Sequence, residues 1–167
     1  RDPQPATRDP QPVLRDPQPV ARDPQPVLHD PQPVARDPHP APRPVESAAQ
    51  LLELADRARE SGRPADAVAP LRRLLDAHPR DSRAPLAAFT LGRVLLDSLH
   101  RPAEAAEAFA RAQSPVSALH EDALAREVDA AARAGNLARA RARALAYVER
   151  YPEGPHLALV KRQGKLE

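Results

Sequence analysis

The chain opens with one seven-residue unit repeated six times between Arg1 and Pro42. Each copy contains two prolines in the pattern P-x-P, as at Pro10 and Pro12. Proline fixes its own φ angle and has no backbone N–H to donate, and it moves the preceding residue out of the helical region. Neither a helix nor a central strand can form from such a repeat. We therefore predict a disordered, polyproline-II-like spacer over residues 1–44, which at ~3.1 Å per residue reaches roughly 130 Å.

The composition changes sharply near Val45. Fourteen of the 22 prolines precede it, and the remainder is rich in Ala, Leu, Arg and Glu. About 120 residues remain, which is enough for one ordinary domain. Because the whole chain has only two Phe, two Tyr and no Trp, the core must be built mainly from Ala and Leu. Residues 45–167 are therefore predicted to form an all-α domain of closely packed helices.

Several classes of protein are excluded by what the sequence lacks. The chain has no cysteine, so it has no disulfides and no cysteine metal sites. Its net charge of +2 is too small to indicate nucleic acid as a partner. No apolar run approaches the ~20 residues of a membrane span. The chain starts at Arg1 within the repeat and lacks methionine, so we expect a mature product or a fragment whose anchor lies upstream.

Helix start and stop signals recur after Val45. Ser47 and Gln50 form a capping-box pattern, and Gly62 is a typical C-terminal residue of a helix. Pro64 suits the start of the next helix, but Pro70 predicts a kink there or a later start. Further caps are expected at Ser82 and Ser117, and a last short helix from Pro155 to about Gln163. The apolar stripes are predicted at Leu51, Leu54, Ala55 and Ala58; Ala67, Leu71, Leu74 and Leu75; Ala105, Phe109 and Ala112; Leu119, Leu124, Val128 and Ala131; and Leu137, Ala140, Ala144, Tyr147 and Val148.

The second helices of successive pairs share one pattern. Ala67, Ala105 and Ala140 lead them, at spacings of 38 and 35 residues, and apolar residues follow at offsets 4 and 7. Three turn residues, Gly62, His100 and Gly135, occupy the same position relative to these alanines. The pattern resembles the tetratricopeptide repeat, a 34-residue helix–turn–helix unit. In the second unit, Leu91 and Gly92 match the first-helix pattern of this repeat if one residue is inserted near His100. Glu127 and Val128 depart from its first-helix pattern.

The resemblance implies a short right-handed α-solenoid. Its units would span residues 47–79, 82–115 and 117–152, and residues 155–163 would form a capping helix. The segment from Arg150 to His156 is also similar to unit junctions in tetratricopeptide domains of bacterial cell-envelope proteins, of the Tol–Pal-associated and outer-membrane-assembly types. That similarity implies a periplasmic or envelope-associated protein; a cytoplasmic location is the alternative.

No pattern in the sequence indicates a catalytic, cofactor or metal site. His120 lacks the second histidine four residues later that a zinc protease needs, and no serine lies in G-x-S-x-G. We therefore predict that the protein is not an enzyme. The C-terminal basic residues are interpreted as a solvated face rather than a nucleic-acid site: Arg139, Arg141, Arg143, Arg150, Lys161, Arg162 and Lys165.

Binding is the remaining prediction. The resemblance implies a groove on the first helix of each unit, which would bind a protein or peptide. Its positions are Leu52, Asp56 and Arg59; Phe89, Arg93 and Leu96; and Ala125, Asp129 and Ala132. The Lys and Asn of the carboxylate-clamp subclass are missing from them. Two alternatives stay open: the sensor domain of a membrane-anchored, anti-sigma-like regulator, and a structural repeat that self-associates.

Overall fold

The computed structural model describes residues 46–114 and 117–166. The predicted spacer at residues 1–44 lies outside these ranges. Within them the chain is all-α, as predicted, and contains no β-strand. The helices are α1 Ala48–Glu60, α2 Val68–Ala77, α3 Ala84–Arg93, α4 Pro102–Ala112, α5 His120–Arg133, α6 Leu137–Arg150 and α7 Leu157–Gly164.

The predicted capping box starts α1. The Gln50 N–H donates to Ser47 Oγ at 3.3 Å, and the Ser47 N–H donates to Gln50 Oε1 at 2.9 Å. The buried face of α1 is formed by Leu51, Ala55 and Ala58, which recur at i, i+4 and i+7. Leu54 was expected on this face, but it is 40% exposed because it lies at the flank of that stripe.

The helix after Gly62 begins later than Pro64, so Pro70 does not lie in a helix interior. Pro64–Ala67 forms a 3₁₀ turn, and α2 starts at Val68. Pro70 therefore lies in the first turn of α2, where backbone N–H groups have no helical partner to lose. The predicted stripe on this helix is confirmed, since Leu71 and Leu74 are fully buried.

The insertion near His100 takes the form of a π-helical segment. After α3 the chain continues as a π-helix over Val94–Ser98, in which Leu99 N donates to Val94 O at 3.0 Å. A π turn holds one residue more than an α turn. His100 then has a φ of +51°, like the other two turn residues, Gly62 at +71° and Gly135 at +76°. All three turn residues therefore share a left-handed backbone conformation.

The predicted serine caps of α3 and α5 are wrong. The turn before α3 is closed instead by Asp81, whose carboxylate accepts from the Arg83 N–H at 2.8 Å. Ser117 Oγ accepts from the Leu119 N–H at 3.1 Å, which closes a turn ahead of α5 rather than the helix itself. The last helix starts at Leu157, two residues later than expected.

Small residues let neighbouring helices approach closely. Each helix contacts the next one along the chain, and α7 also contacts α5. A Cβ atom at Gly92 would lie 2.6 Å from a ring carbon of Phe109. The backbone of α3 at Gly92 therefore packs directly against the Phe109 ring of α4. The buried core consists largely of Ala and Leu, and Ala67, Ala105 and Ala140 are all fully buried.

Candidate functional site

A groove of about 250 Å³ lies between α3, α5 and the start of α7. We call it the central groove. It brings together three residues that sequence reasoning assigned to a binding surface, namely Phe89, Arg93 and Ala125. Its lining also includes Asp122, Arg126, His156 and Leu159.

The apolar part of the central groove is held rigidly. Phe89 is half-buried and packs edge-to-face on Phe109, with ring centroids 5.6 Å apart and an interplanar angle of 65°. Phe109 itself is fully buried, so the position of Phe89 is fixed by the core. Half-buried Leu159 completes the apolar surface, and Ala125, which is 2% exposed, lies at its base. The result is a preformed contact surface rather than one that must be assembled on binding.

The charged groups of the central groove differ in how they are paired. Arg126 Nη2 lies 3.0 Å from Asp97 Oδ2, and His156 Nε2 lies 2.6 Å from Asp122 Oδ1. Arg93 is exposed, and among the residues that the structure describes it has no carboxylate within ion-pair distance. Its guanidinium is therefore the cation of the groove that can bind an anion without breaking an existing pair.

Arg93 also lines a second cleft, of about 500 Å³, which we call the flanking cleft. This cleft lies between the end of α1 and the π-helical segment. It contains another predicted residue, Arg59, which is already paired with Asp56 at 2.7 Å. The other lining residues are Glu60, Gly62, Pro64, Thr90, Val94, Asp97 and Ser98. Because Arg93 belongs to both surfaces, the central groove and the flanking cleft meet at its side chain.

The remaining predicted groove residues lie elsewhere. Leu52 and Asp56 share a shallow depression with Arg83. Leu96 was expected at the surface but is 1% exposed, because the extra residue of the π-helical segment changes which side chains face the core. Ala132 is partly buried against the core.

Asp129 is the other residue that does not line a groove. It is 3% exposed and accepts hydrogen bonds from Arg133 Nε at 3.1 Å and from Gln163 Nε2 at 3.3 Å. Gln163 lies on α7, which packs against α5. The expected binding position is therefore covered by α7.

A polar cluster fixes the start of α7 and thereby the wall of the central groove. Tyr147 OH donates to Glu121 Oε1 at 2.7 Å and accepts from the His156 N–H at 3.1 Å. Burial, together with the bond to Glu121, raises the pKa of Tyr147 to about 12. A Cβ atom at Gly154 would collide with both Glu121 and Tyr147, so only glycine fits there. The only indication of this cluster in the sequence was the segment from Arg150 to His156, which resembles a junction between repeat units.

A second cluster surrounds Glu127, which is fully buried. Its carboxylate accepts from Arg139 Nε at 2.7 Å, from Arg143 Nε at 3.1 Å and from Gln113 Nε2. This network joins α5 to α6 and to the residue that follows α4. Sequence reasoning missed Glu127 as a buried group, because only its departure from the repeat pattern was visible.

The Glu127 cluster also corrects the interpretation of Arg139 as part of a solvated face. The Arg139 side chain is 22% exposed and also donates to the Ala106 carbonyl at 3.2 Å. Burial lowers its pKa, but the hydrogen bonds to Glu107 and Glu127 outweigh that effect, and the pKa of Arg139 is raised. Arg139 is therefore a structural cation between helices.

Neither cluster has the composition of a metal site. No group of three or more His, Cys, Asp or Glu residues in the described ranges is arranged to hold a metal ion. None of the helices described is both long and apolar enough to cross a bilayer. The central groove offers an apolar contact area and the exposed guanidinium of Arg93.

No family model matches the chain, and no curated protein matches it. Any function must therefore be argued from the residues of the groove themselves.

Proposed function

We propose that this protein is a non-enzymatic interaction module whose helical domain binds a segment of another protein in the central groove. The observation that carries the proposal is the combination of a rigid apolar surface, formed around Phe89, with the exposed guanidinium of Arg93. Apolar anchors flanked by polar contacts are typical of protein–protein interfaces.

The central groove by itself is smaller than most pockets for small molecules. Pockets for drug-sized molecules and cofactors usually measure ~300–1,000 Å³ and bury most of the ligand. The central groove measures about 250 Å³, which suits one or two side chains of a larger partner. The flanking cleft then offers a polar continuation of the surface past Arg93.

The resemblance to tetratricopeptide repeats supports the same function. In such repeats, stacked helix pairs form one continuous surface that binds partners. Gly62, His100 and Gly135 all have left-handed backbone conformations. A turn of the same geometry before each second helix is expected of repeated helix pairs, so these turns support a solenoid of about three units. The proposal includes the proline-rich repeat as a tether that sets the reach of the domain. It also includes a location in the bacterial cell envelope, which rests on the junction segment alone.

Affinity purification with charge-reversed variants tests the proposal. The full chain serves as bait, and Arg93→Glu is compared with the wild type. Arg80→Glu is the matched control, because Arg80 is also exposed and has no carboxylate within ion-pair distance among the described residues. We expect a partner that Arg93→Glu loses and Arg80→Glu retains.

The alternatives predict different results in the same experiment. Recovery of the same proteins with every variant would count against the groove. Recovery of a second copy of this chain would favour the self-associating repeat, and light scattering would then show a dimer or larger species.

A further inference from the structure

The charges of the central groove define the chemistry of its partner more closely. We propose that the groove binds an acidic peptide segment in which an apolar anchor side chain sits beside Phe89 and a nearby Asp or Glu pairs with Arg93. This inference rests on the proposed function and adds the class of ligand.

The pairing pattern favours an acidic ligand over a basic one. A carboxylate approaching Arg126 or His156 would compete with Asp97 at 3.0 Å or with Asp122 at 2.6 Å. Arg93 has no such competitor among the residues described. A basic ligand would meet carboxylates that already have partners, Asp122 with His156 and Asp97 with Arg126, and would have to share them. Arg93 is therefore the position where an incoming charge gains an interaction at the lowest cost.

The position of the apolar surface sets the form of the ligand. Phe89 and Arg93 are four residues apart on α3, so they project from the same face of that helix about one turn apart. Their Cβ atoms are about 6 Å apart, and we expect a ligand that contacts both to present its apolar side chain and its carboxylate at a similar separation. Residues i and i+3 or i+4 of a helical ligand meet this requirement, as do residues i and i+2 of an extended one.

A displayed library of random 12-residue peptides, selected on the full chain, tests the proposal. We expect the selected sequences to combine an apolar residue with an Asp or Glu at one of those spacings. Binding of a fluorescein-labelled selected peptide should weaken roughly tenfold in Arg93→Glu, because an exposed attraction is lost and a repulsion of similar size replaces it. Binding should also weaken as salt is raised. Arg80→Glu should bind like the wild type, and thermal melting verifies that both variants are folded.

A second selection, on Arg93→Glu, separates the ligand class from the proposed function. If the preference for acidic residues disappears while the apolar residue remains, the proposal is supported. Peptides that bind the groove, as shown by loss of binding in Leu159→Ser, but have no acidic preference would overturn the ligand class and leave the proposed function standing. Selected peptides whose binding is unaffected by both Arg93→Glu and Leu159→Ser would overturn both.

Discussion

Replacing Arg139 by alanine should destabilise the helical domain by about 3 kcal/mol. Removing one partner of a buried ion pair typically costs ~3–5 kcal/mol, because the other charge is left without compensation. Here the fully buried Glu127 would keep Arg143, at 3.1 Å, and Gln113, so the lower end of that range applies. The hydrogen bond from Arg139 to the Ala106 carbonyl is lost as well.

This free energy corresponds to a readily measured shift of the melting temperature. The unfolding entropy is about 2.1 cal/mol/K per residue, or roughly 0.25 kcal/mol/K for about 120 folded residues. A loss of about 3 kcal/mol then lowers the melting temperature by about 12 °C. Thermal unfolding followed by circular dichroism at 222 nm measures this shift.

Arg141→Ala is the matched control on the same helix. Arg141 is exposed and makes one hydrogen bond, to the Lys165 carbonyl at 2.8 Å, so its loss should cost about 0.5 kcal/mol or less. A double-mutant cycle between Arg139 and Glu127 would isolate the coupling between them. Equal melting temperatures for Arg139→Ala and Arg141→Ala would refute the argument that Arg139 compensates a buried charge.

Three further predictions concern backbone geometry, packing and protonation. Gly92→Ala should lower the free energy of unfolding by about 1–3 kcal/mol, because the new Cβ would lie 2.6 to 2.8 Å from Phe109 ring atoms. Adding Phe109→Leu to that variant should recover part of the lost stability. A Gly92→Ala variant as stable as the wild type would contradict the close contact. His100→Gly should raise the free energy of unfolding by about 1 kcal/mol, because a φ of +51° is unfavourable for histidine and not for glycine. Urea denaturation measures this, and a lower unfolding midpoint for His100→Gly than for His100→Ala would contradict it. Burial, and then the nearby Arg150, lower the pKa of His120 in the folded protein. As the pH drops, His120 is therefore protonated at a higher pH in the unfolded chain, near its ordinary pKa of ~6.5, than in the folded one. The free energy of unfolding should consequently fall between pH 7.5 and about 5.5. The fall should be smaller in His120→Asn, and an equal fall in both proteins would assign it to other groups.

Much of the helical architecture could be predicted because its signals are local. The capping box at Ser47, the turn at Gly62 and the late start imposed by Pro70 depend on residues within one or two turns. The buried alanines of the second helices follow from periodicity and from repetition along the chain. Such features depend little on the rest of the fold, so one sequence is enough to find them.

The candidate site was predicted only in part, because burial depends on distant residues. Glu127 is buried through partners on other helices, whereas a charged residue in a sequence is normally expected at the surface. Leu96 and Asp129 fit the groove positions by offset, but the π-helical segment and α7 bury them. Phe89 and Arg93 kept their expected place because no insertion precedes them on α3.

Site-specific photo-crosslinking tests the binding surface most directly. A benzoylphenylalanine placed at Thr90, which lines the flanking cleft beside Arg93, leaves the Arg93 side chain in place. One at Leu145, which is 53% exposed on α6, lies outside the central groove and the flanking cleft. If a protein segment binds at Arg93, the partner should crosslink efficiently from position 90 and weakly from position 145. Crosslinking of the same partner from position 145, with none from position 90, would contradict the account.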